Sequence, residues 1–422
     1  MVQHSMRWVA LVAVALAGCG GGAEDREASD DLLAPPRPEE GIQLRMVNTV
    51  AVGQEIERCQ FFVVPPGGLN LNRERVRYQT GSHHVLLYTT AYTSVPTANL
   101  REEPVDTSGV FDCGEGVLGS WDVTGIAVGV QDPDAPDLEL PPGVAIRVPA
   151  GSVLLMNTHY LNVSPAPLAT DTRINLYSIP DAEVTTDGGF MLFYNPFIRV
   201  PAFGSSTARM RCPVQHDVTL VSLSSHMHRR GVRFDAGLID ADGNLQETLF
   251  ETDQWQDVPT RQWLPGKAIS AGNAIEYRCD YDNPDARVVA QGPTTDDEMC
   301  GLLGVYYPRD PGFEFCSSQG LSNPAHDATW IGDGELTCLE AITCASSAAD
   351  AAGYFGCVVD SCPASGPPLS ALIHCQGDAT SGADSPCGAV CQPGSADPAA
   401  CQGCVAEACG SQLEACAAAA CE

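Results

Sequence analysis

The chain has 422 residues, enough for more than one domain of ordinary size. Its 53 acidic against 22 basic residues give a formal net charge of −31, which argues against nucleic acid and anionic lipid surfaces as partners and favours cations and neutral or basic substrates. The 19 cysteines divide into one in the leader, six between Cys59 and Cys316, and twelve after residue 337. Even structural sets in an exported chain indicate disulfides in an oxidising compartment rather than cytosolic zinc sites.

From the N-terminus, Arg7 precedes an apolar run from Trp8 to Ala17 that ends in Leu16-Ala17-Gly18-Cys19. This reads as a signal peptide of the bacterial lipoprotein type over residues 1–18, with lipid attachment at Cys19 and a flexible acidic tether over 19–42. Two acyl chains on Cys19 would hold the protein to a membrane without a transmembrane helix. The expected location is the bacterial cell envelope, as an outer-membrane lipoprotein facing the periplasm or the cell surface.

Between residues 43 and 316, short runs rich in Val, Ile, Leu and Tyr, such as Val144 to Met156 and Arg173 to Tyr177, alternate with clusters of Pro, Gly, Asp and Asn. That pattern belongs to an all-β chain of antiparallel sandwiches or jelly rolls. The expectation is two tandem jelly-roll-like β-sandwich domains, 43–185 and 186–325, divided in the stretch from Pro180 to Ile198. Beyond about Asn323 the composition shifts to Ala, Gly, Ser and Cys, and residues 326–422 read as a separate Cys-rich module of short helices stapled by disulfides. So few large apolar residues could not otherwise hold a core. Within it Cys401-Gln402-Gly403-Cys404 has the spacing of a zinc or redox motif, but among ten neighbouring cysteines it reads as part of the disulfide scaffold.

Five of the nine histidines fall in three clusters: Ser82-His83-His84-Val85, Asn157-Thr158-His159-Tyr160 and Ser225-His226-Met227-His228. A fourth cluster, Asp297-Glu298-Met299-Cys300, offers a thioether. Imidazole suits zinc, copper, iron or nickel, and adding a soft sulfur ligand biases a site toward copper. A His-x-His pair on a strand points both rings to one face, whereas adjacent His83 and His84 reach one ion only at a strand end or bulge. His4, His216, His326 and His374 have no such company and read as ordinary histidines, and Met227, between the paired histidines, reads as packing.

These four clusters, with Gly81 to Tyr88 around the first and Tyr306-Tyr307-Pro308 after the last, resemble the copper type II, ascorbate-dependent monooxygenases over residues 43–316. The resemblance implies two copper ions per chain. His83, His84 and His159 would hold an electron-transfer copper in the first domain, and His226, His228 and Met299 an oxygen-binding copper in the second. It further implies ascorbate or another one-electron reductant as co-substrate, O2 and an organic substrate as reaction partners, and three disulfides, Cys59 with Cys113, Cys212 with Cys316, and Cys279 with Cys300. A further bridge of the family is missing, since Thr90 and Leu118 stand where its cysteines are expected. Ser224, Gly301 and Leu303 replace the residues that anchor a peptide carboxylate in the peptide-hydroxylating members, which argues against that substrate. Two readings from other classes remain: a non-catalytic copper-binding protein of the envelope, and a surface adhesion or assembly protein with structural copper.

Overall fold

The computed structural model describes residues 32–421 apart from 80, 115, 118, 318–333, 350, 381–384 and 392–396. Cys19, His4, Leu118 and His326 lie outside the described residues. Among the described residues no helix is long and apolar enough to cross a membrane.

Strands dominate as far as Ser317, and they form two sandwiches. In the first, one sheet runs in the order Gly41–Val50, Leu168–Ser178, Leu69–Tyr78, Val144–Val148, Thr186–Asp187, and the other in the order Phe111–Asp112, Glu55–Val63, Val153–Leu161, Ser82–Thr90, Val123–Val130. Met46, Val76, Val85, Leu87, Leu154, Met156 and Ile174 fill the space between them. The apolar run from Val144 to Met156 is two strands, not one. Pro149 cannot donate to a ladder and Gly151 takes φ +74°, so the chain turns there.

Pairing passes to the second sandwich at Gly188, because Thr186–Asp187 still pairs with Val144–Val148 while Gly189–Tyr194 pairs with Gly301–Tyr307. Its sheets run Arg261–Ile269, Val218–His226, Gly301–Tyr307, Gly189–Tyr194, Phe315–Ser317 and Gly204–Pro213, Ala274–Asn283, Gly231–Ile239, Leu245–Thr252. The core includes Phe193, Leu220, Leu223, Phe234, Tyr277 and Met227.

The two sandwiches share a third apolar cluster of Leu138, Leu140, Val144, Phe190, Val221, Leu303 and Val305. Burying such side chains contributes about 1.5–3 kcal/mol each. Contact is close enough that a Cβ on Gly129 would stand 2.9 Å from the Phe190 ring.

Cys59–Cys113, Cys212–Cys316 and Cys279–Cys300 are joined, the three pairings the resemblance implied. Where the family's further bridge is missing, the Thr90 hydroxyl donates to the Val153 carbonyl at 2.6 Å. The Cys-rich region forms the helices Cys338–Ser346, Ala351–Val359, Gly366–Thr380, Pro398–Ala408 and Gly410–Ala418. The first is started by a capping box between Thr337 and Glu340. All twelve cysteines are paired, Cys401 with Cys391 and Cys404 with Cys387, so that spacing is structural. The module also packs on the second sandwich: Phe197 sits in its core against the Phe355 ring, and Arg199 pairs with Asp360.

Thiol exchange requires access to sulfur. The sandwich cysteines are at most 5 % exposed, whereas Cys375, Cys391 and Cys404 are only partly buried. Mild reduction of the folded protein should therefore open bridges of the Cys-rich module first, and alkylation followed by mass spectrometry should find Cys59, Cys212 and Cys279 still protected. Simultaneous loss of both groups would contradict this order.

Candidate metal centre

The first ligand row is set by β register. Glu57 stands opposite His159, and His159 opposite His84, on three neighbouring strands of one sheet. Side chains matched in this way share a face. Along Val153–Leu161, Leu154, Met156 and Tyr160 point into the core, so His159 points outward, toward the second sandwich. The register slips between Ser82 and His84. This bulge brings His83 to the side of its neighbour, with ring centroids 5.5 Å apart.

In the second sandwich His226 is the last residue of its strand and His228 lies in the following turn, so the pair straddles a strand end instead of occupying a strand. The rings still meet, with centroids 5.1 Å apart. Met227 points the other way, fully buried in the core against Gly231. Met299 is two residues before Gly301, the register partner of His226, and its carbonyl accepts from the Tyr281 hydroxyl at 2.7 Å.

The fold presses these two faces together. His83 has ring centroids 5.4 Å from His226, 5.9 Å from His228 and 5.6 Å from His159, and His84 lies 5.3 Å from His226. The five histidines form one cluster. The resemblance divided them three and two, but the ligand atoms that lie within 4.8 Å of one another are those of His83, His226 and His228 in one group and of Glu57, His84 and His159 in the other. His216 stands apart as an exposed partner of Asp310, with Nδ1 2.6 Å from the carboxylate.

Two residues that the sequence did not single out cross the junction. Glu55, of the first sandwich, lies 3.0 Å from His159 Nε2 and accepts from the backbone N–H and hydroxyl of Thr295 at 2.7 and 3.0 Å. Burial works to raise the Glu55 carboxyl, but these hydrogen bonds outweigh it and leave it at about 2. Gln131, also of the first sandwich, donates to the Ser225 carbonyl and lies 2.6 Å from His226 Nδ1. His228 Nδ1 lies 3.3 Å from the Asp297 carbonyl. Donation by the imidazole at each of these contacts leaves its other ring nitrogen a lone pair. Trp255 covers His83 at 5.4 Å between centroids. No local motif distinguishes Glu55, Gln131 or Trp255 from other polar or aromatic residues, because their roles arise only across the junction.

The donor set fits a metal. Both ring nitrogens of His83, and Nδ1 of His84 and of His159, are buried without a hydrogen-bond partner. Leaving a buried polar atom unpaired costs about 1–3 kcal/mol, and a cation bound among them would remove that cost. Burial, then repulsion between neighbouring imidazoles, holds His83, His84 and His226 well below the usual range, and burial holds His228 at about 4. At neutral pH these four rings are uncharged, the form in which imidazole ligates. Burial pushes the Glu57 carboxyl up against the opposing influence of His159, while Asn157 donates to its Oε2 at 2.9 Å.

Residues 191–328 match the C-terminal domain of the copper type II ascorbate-dependent monooxygenases. The matched segment contains His226, His228 and Met299, whereas His83, His84 and His159 lie before it. Among solved structures, the chain is similar to the major capsid protein P2 of bacteriophage PM2, at 9 % identity over 63 % of this chain and 97 % of that one, with a TM-score of 0.24. It is also similar to PNGase F, a glycosylasparaginase from Flavobacterium meningosepticum, at 10 % identity over 63 % of this chain and 94 % of that one, with a TM-score of 0.27.

The metal-free cluster should be acid-sensitive. Unfolded, these imidazoles take up protons near pH 6.5, whereas folded they do not until the pH is much lower, so stability falls with pH below 6.5 by up to ~1.4 kcal/mol per unit for each ring. Buried Glu74 and Glu298, raised to about 8 and about 7, act in the opposite sense and are common to wild type and variants. The difference in urea midpoint between metal-free wild type and a His83→Asn/His226→Asn variant should therefore shift in the variant's favour from pH 7 to pH 5. A constant difference would refute neutral burial.

Gln131→Leu removes the acceptor facing His226. Metal affinity at the His226–His228 pair should fall by about 10–100-fold in a chelator competition, as for other supports of a metal ligand. Unchanged affinity would mean that Gln131 does not orient the ring.

Proposed function

We propose that the protein is a copper-dependent monooxygenase that hydroxylates a C–H bond of a small molecule or peptide with O2 and an external reductant, ascorbate or another one-electron donor. The observation that carries this reading is the cluster of five histidines, four buried and His226 half-buried, with ring nitrogens of His83, His84 and His159 unpartnered, whose second-sandwich members fall inside the matched segment. The resemblance assigns His226, His228 and Met299 to the oxygen-binding copper and His83, His84 and His159 to the electron-transfer copper. Bound copper would supply dioxygen activation and one-electron transfer, chemistry that no side chain here provides. One oxygen atom enters the C–H bond; the other leaves as water, with two electrons and two protons drawn from reductant and solvent.

The chain's own contributions are orientation and exclusion of water. Gln131 and the Asp297 carbonyl fix the His226 and His228 rings, Glu55 fixes His159, and the Trp255 ring packs against His83. Ser224 and Leu303, register partners two residues along from His226 and Gly301, line a cavity of about 20 Å³ between the sandwiches. That is room for about one water molecule. The small volume beside Ser224 and Leu303 favours the second reading, an envelope protein that binds copper without turnover. Anchoring through Cys19 at the outer membrane belongs to the proposal in either case.

Copper loading followed by desalting should leave close to two ions per chain, and His159→Ala should remove about one. Substrate-dependent O2 uptake with ascorbate, over a panel of amines, peptides and aromatics, separates the enzyme from the copper-binding reading. Met299→His should keep copper, lose most of that uptake and lose sulfur scattering in X-ray absorption of the reduced protein. Persistent scattering would transfer the sulfur ligand elsewhere, and copper content near zero would end the assignment.

A further inference from the structure

The ladder between Val218–His226 and Gly301–Tyr307 ends at the pair His226–Gly301, so His228 and Met299 both lie beyond it, each two residues past the last pair. Ladder hydrogen bonds set the separation of the two segments only up to that pair. Glu298, the residue before Met299, takes over where they stop. It is fully buried, and its carboxylate reaches the histidine turn: Oε2 accepts from the His228 N–H at 3.0 Å and Oε1 from the Arg230 N–H at 2.7 Å. Arg230 makes the return contact. Its buried guanidinium donates to the Asp296 carbonyl at 2.6 Å and to Asn283 Oδ1 at 3.0 Å. On its other side the segment is anchored by the Tyr281 hydroxyl on the Met299 carbonyl and by the Cys279–Cys300 bridge.

We propose that Glu298 is a positioning residue for the metal of His226, His228 and Met299: its carboxylate replaces ladder hydrogen bonds beyond the last strand pair and fixes how far the Met299 segment stands from the histidine turn. This rests on the reading of Met299 as a copper ligand. A carboxylate suits the task because its two oxygens accept two N–H groups at once, whereas an amide offers one acceptor oxygen. The donors it aligns are unequal. His226 and His228 share one short turn and move together, while the thioether arrives on a separate segment and is the soft member of the set. A displaced segment would therefore lose the sulfur before the turn loses the copper. Loss of that soft donor shifts the site's preference away from Cu(I).

The test uses the full-length protein loaded with copper, read by X-ray absorption of the reduced form and by redox titration. Glu298→Gln keeps the shape but turns one acceptor into an NH2 group that faces a backbone N–H instead of receiving it. The expected result is wild-type copper content, sulfur scattering reduced by half or more, and a preference for Cu(I) over Cu(II) lowered about tenfold at one site, equivalent to a potential about 59 mV lower for a one-electron couple. Leu249→Ala, a truncation in the core of the same sandwich, separates positioning from general loosening. It should lower the urea midpoint of the metal-free protein and leave scattering and potential as in wild type. Should the glutamine variant fail to fold, Glu298→Asp, which keeps the charge one methylene shorter, must still weaken the sulfur signal. Wild-type scattering and potential in a folded Glu298 variant, or an equal loss of both in Leu249→Ala, would overturn the proposal while leaving Met299 as a ligand. Absence of sulfur scattering from the wild-type protein would remove the Met299 reading itself, and the proposal with it.

Discussion

The constraint on which the rest depends is the packing of five histidines, four of them buried, between two sandwiches, with His83, His84, His226 and His228 held uncharged and ring nitrogens of His83, His84 and His159 unpartnered. An arrangement of this kind is unfavourable in itself, at about 1–3 kcal/mol for each unpaired polar atom. It persists because the same junction buries Phe190, Val221, Leu303, Val305 and Leu138, whose removal from water is worth about 1.5–3 kcal/mol apiece. The apolar cluster holds the faces together and the histidines occupy the space beside it. Stability and chemistry are assigned to neighbouring parts of one interface.

Each sandwich supports the other's ligands. Glu55 takes a hydrogen bond from Thr295, four residues before Met299, and holds His159 of its own sheet; Gln131 reaches over to the His226 ring and the Ser225 carbonyl. Neither sandwich alone has a finished site. Closure thus brings the imidazoles of the two faces together, with His83 almost equally distant from both pairs. The Cys-rich module stands in a different relation. It docks through Phe197 and Arg199, and among the described residues the side-chain groups placed to hold a metal ion come from the sandwiches.

The sequence alone determined the all-β character of residues up to Ser317, the helical and disulfide-stapled character of the cysteine-rich region, and four clusters whose residue types suit copper. These are local properties: alternation of apolar residues with turn formers sets strands, and alanine-rich spacers between cysteines set short helices. The core packing of Met227 was expected from alternation along a strand, and it holds although the strand ends at His226. Tertiary structure alone decided the rest. Val144 to Met156 became two strands, because a turn at Pro149 and Gly151 outweighs a continuous apolar run. The bulge at Ser82–His84, the meeting of His83 with His226, and the entry of Glu57, Glu55, Gln131 and Trp255 into the site depend on register between distant strands and on the contact of two separately formed faces. A glutamate on an outward strand position looks solvated in sequence. Only the pairing of three strands in one sheet turns it into a part-buried neighbour of two histidines.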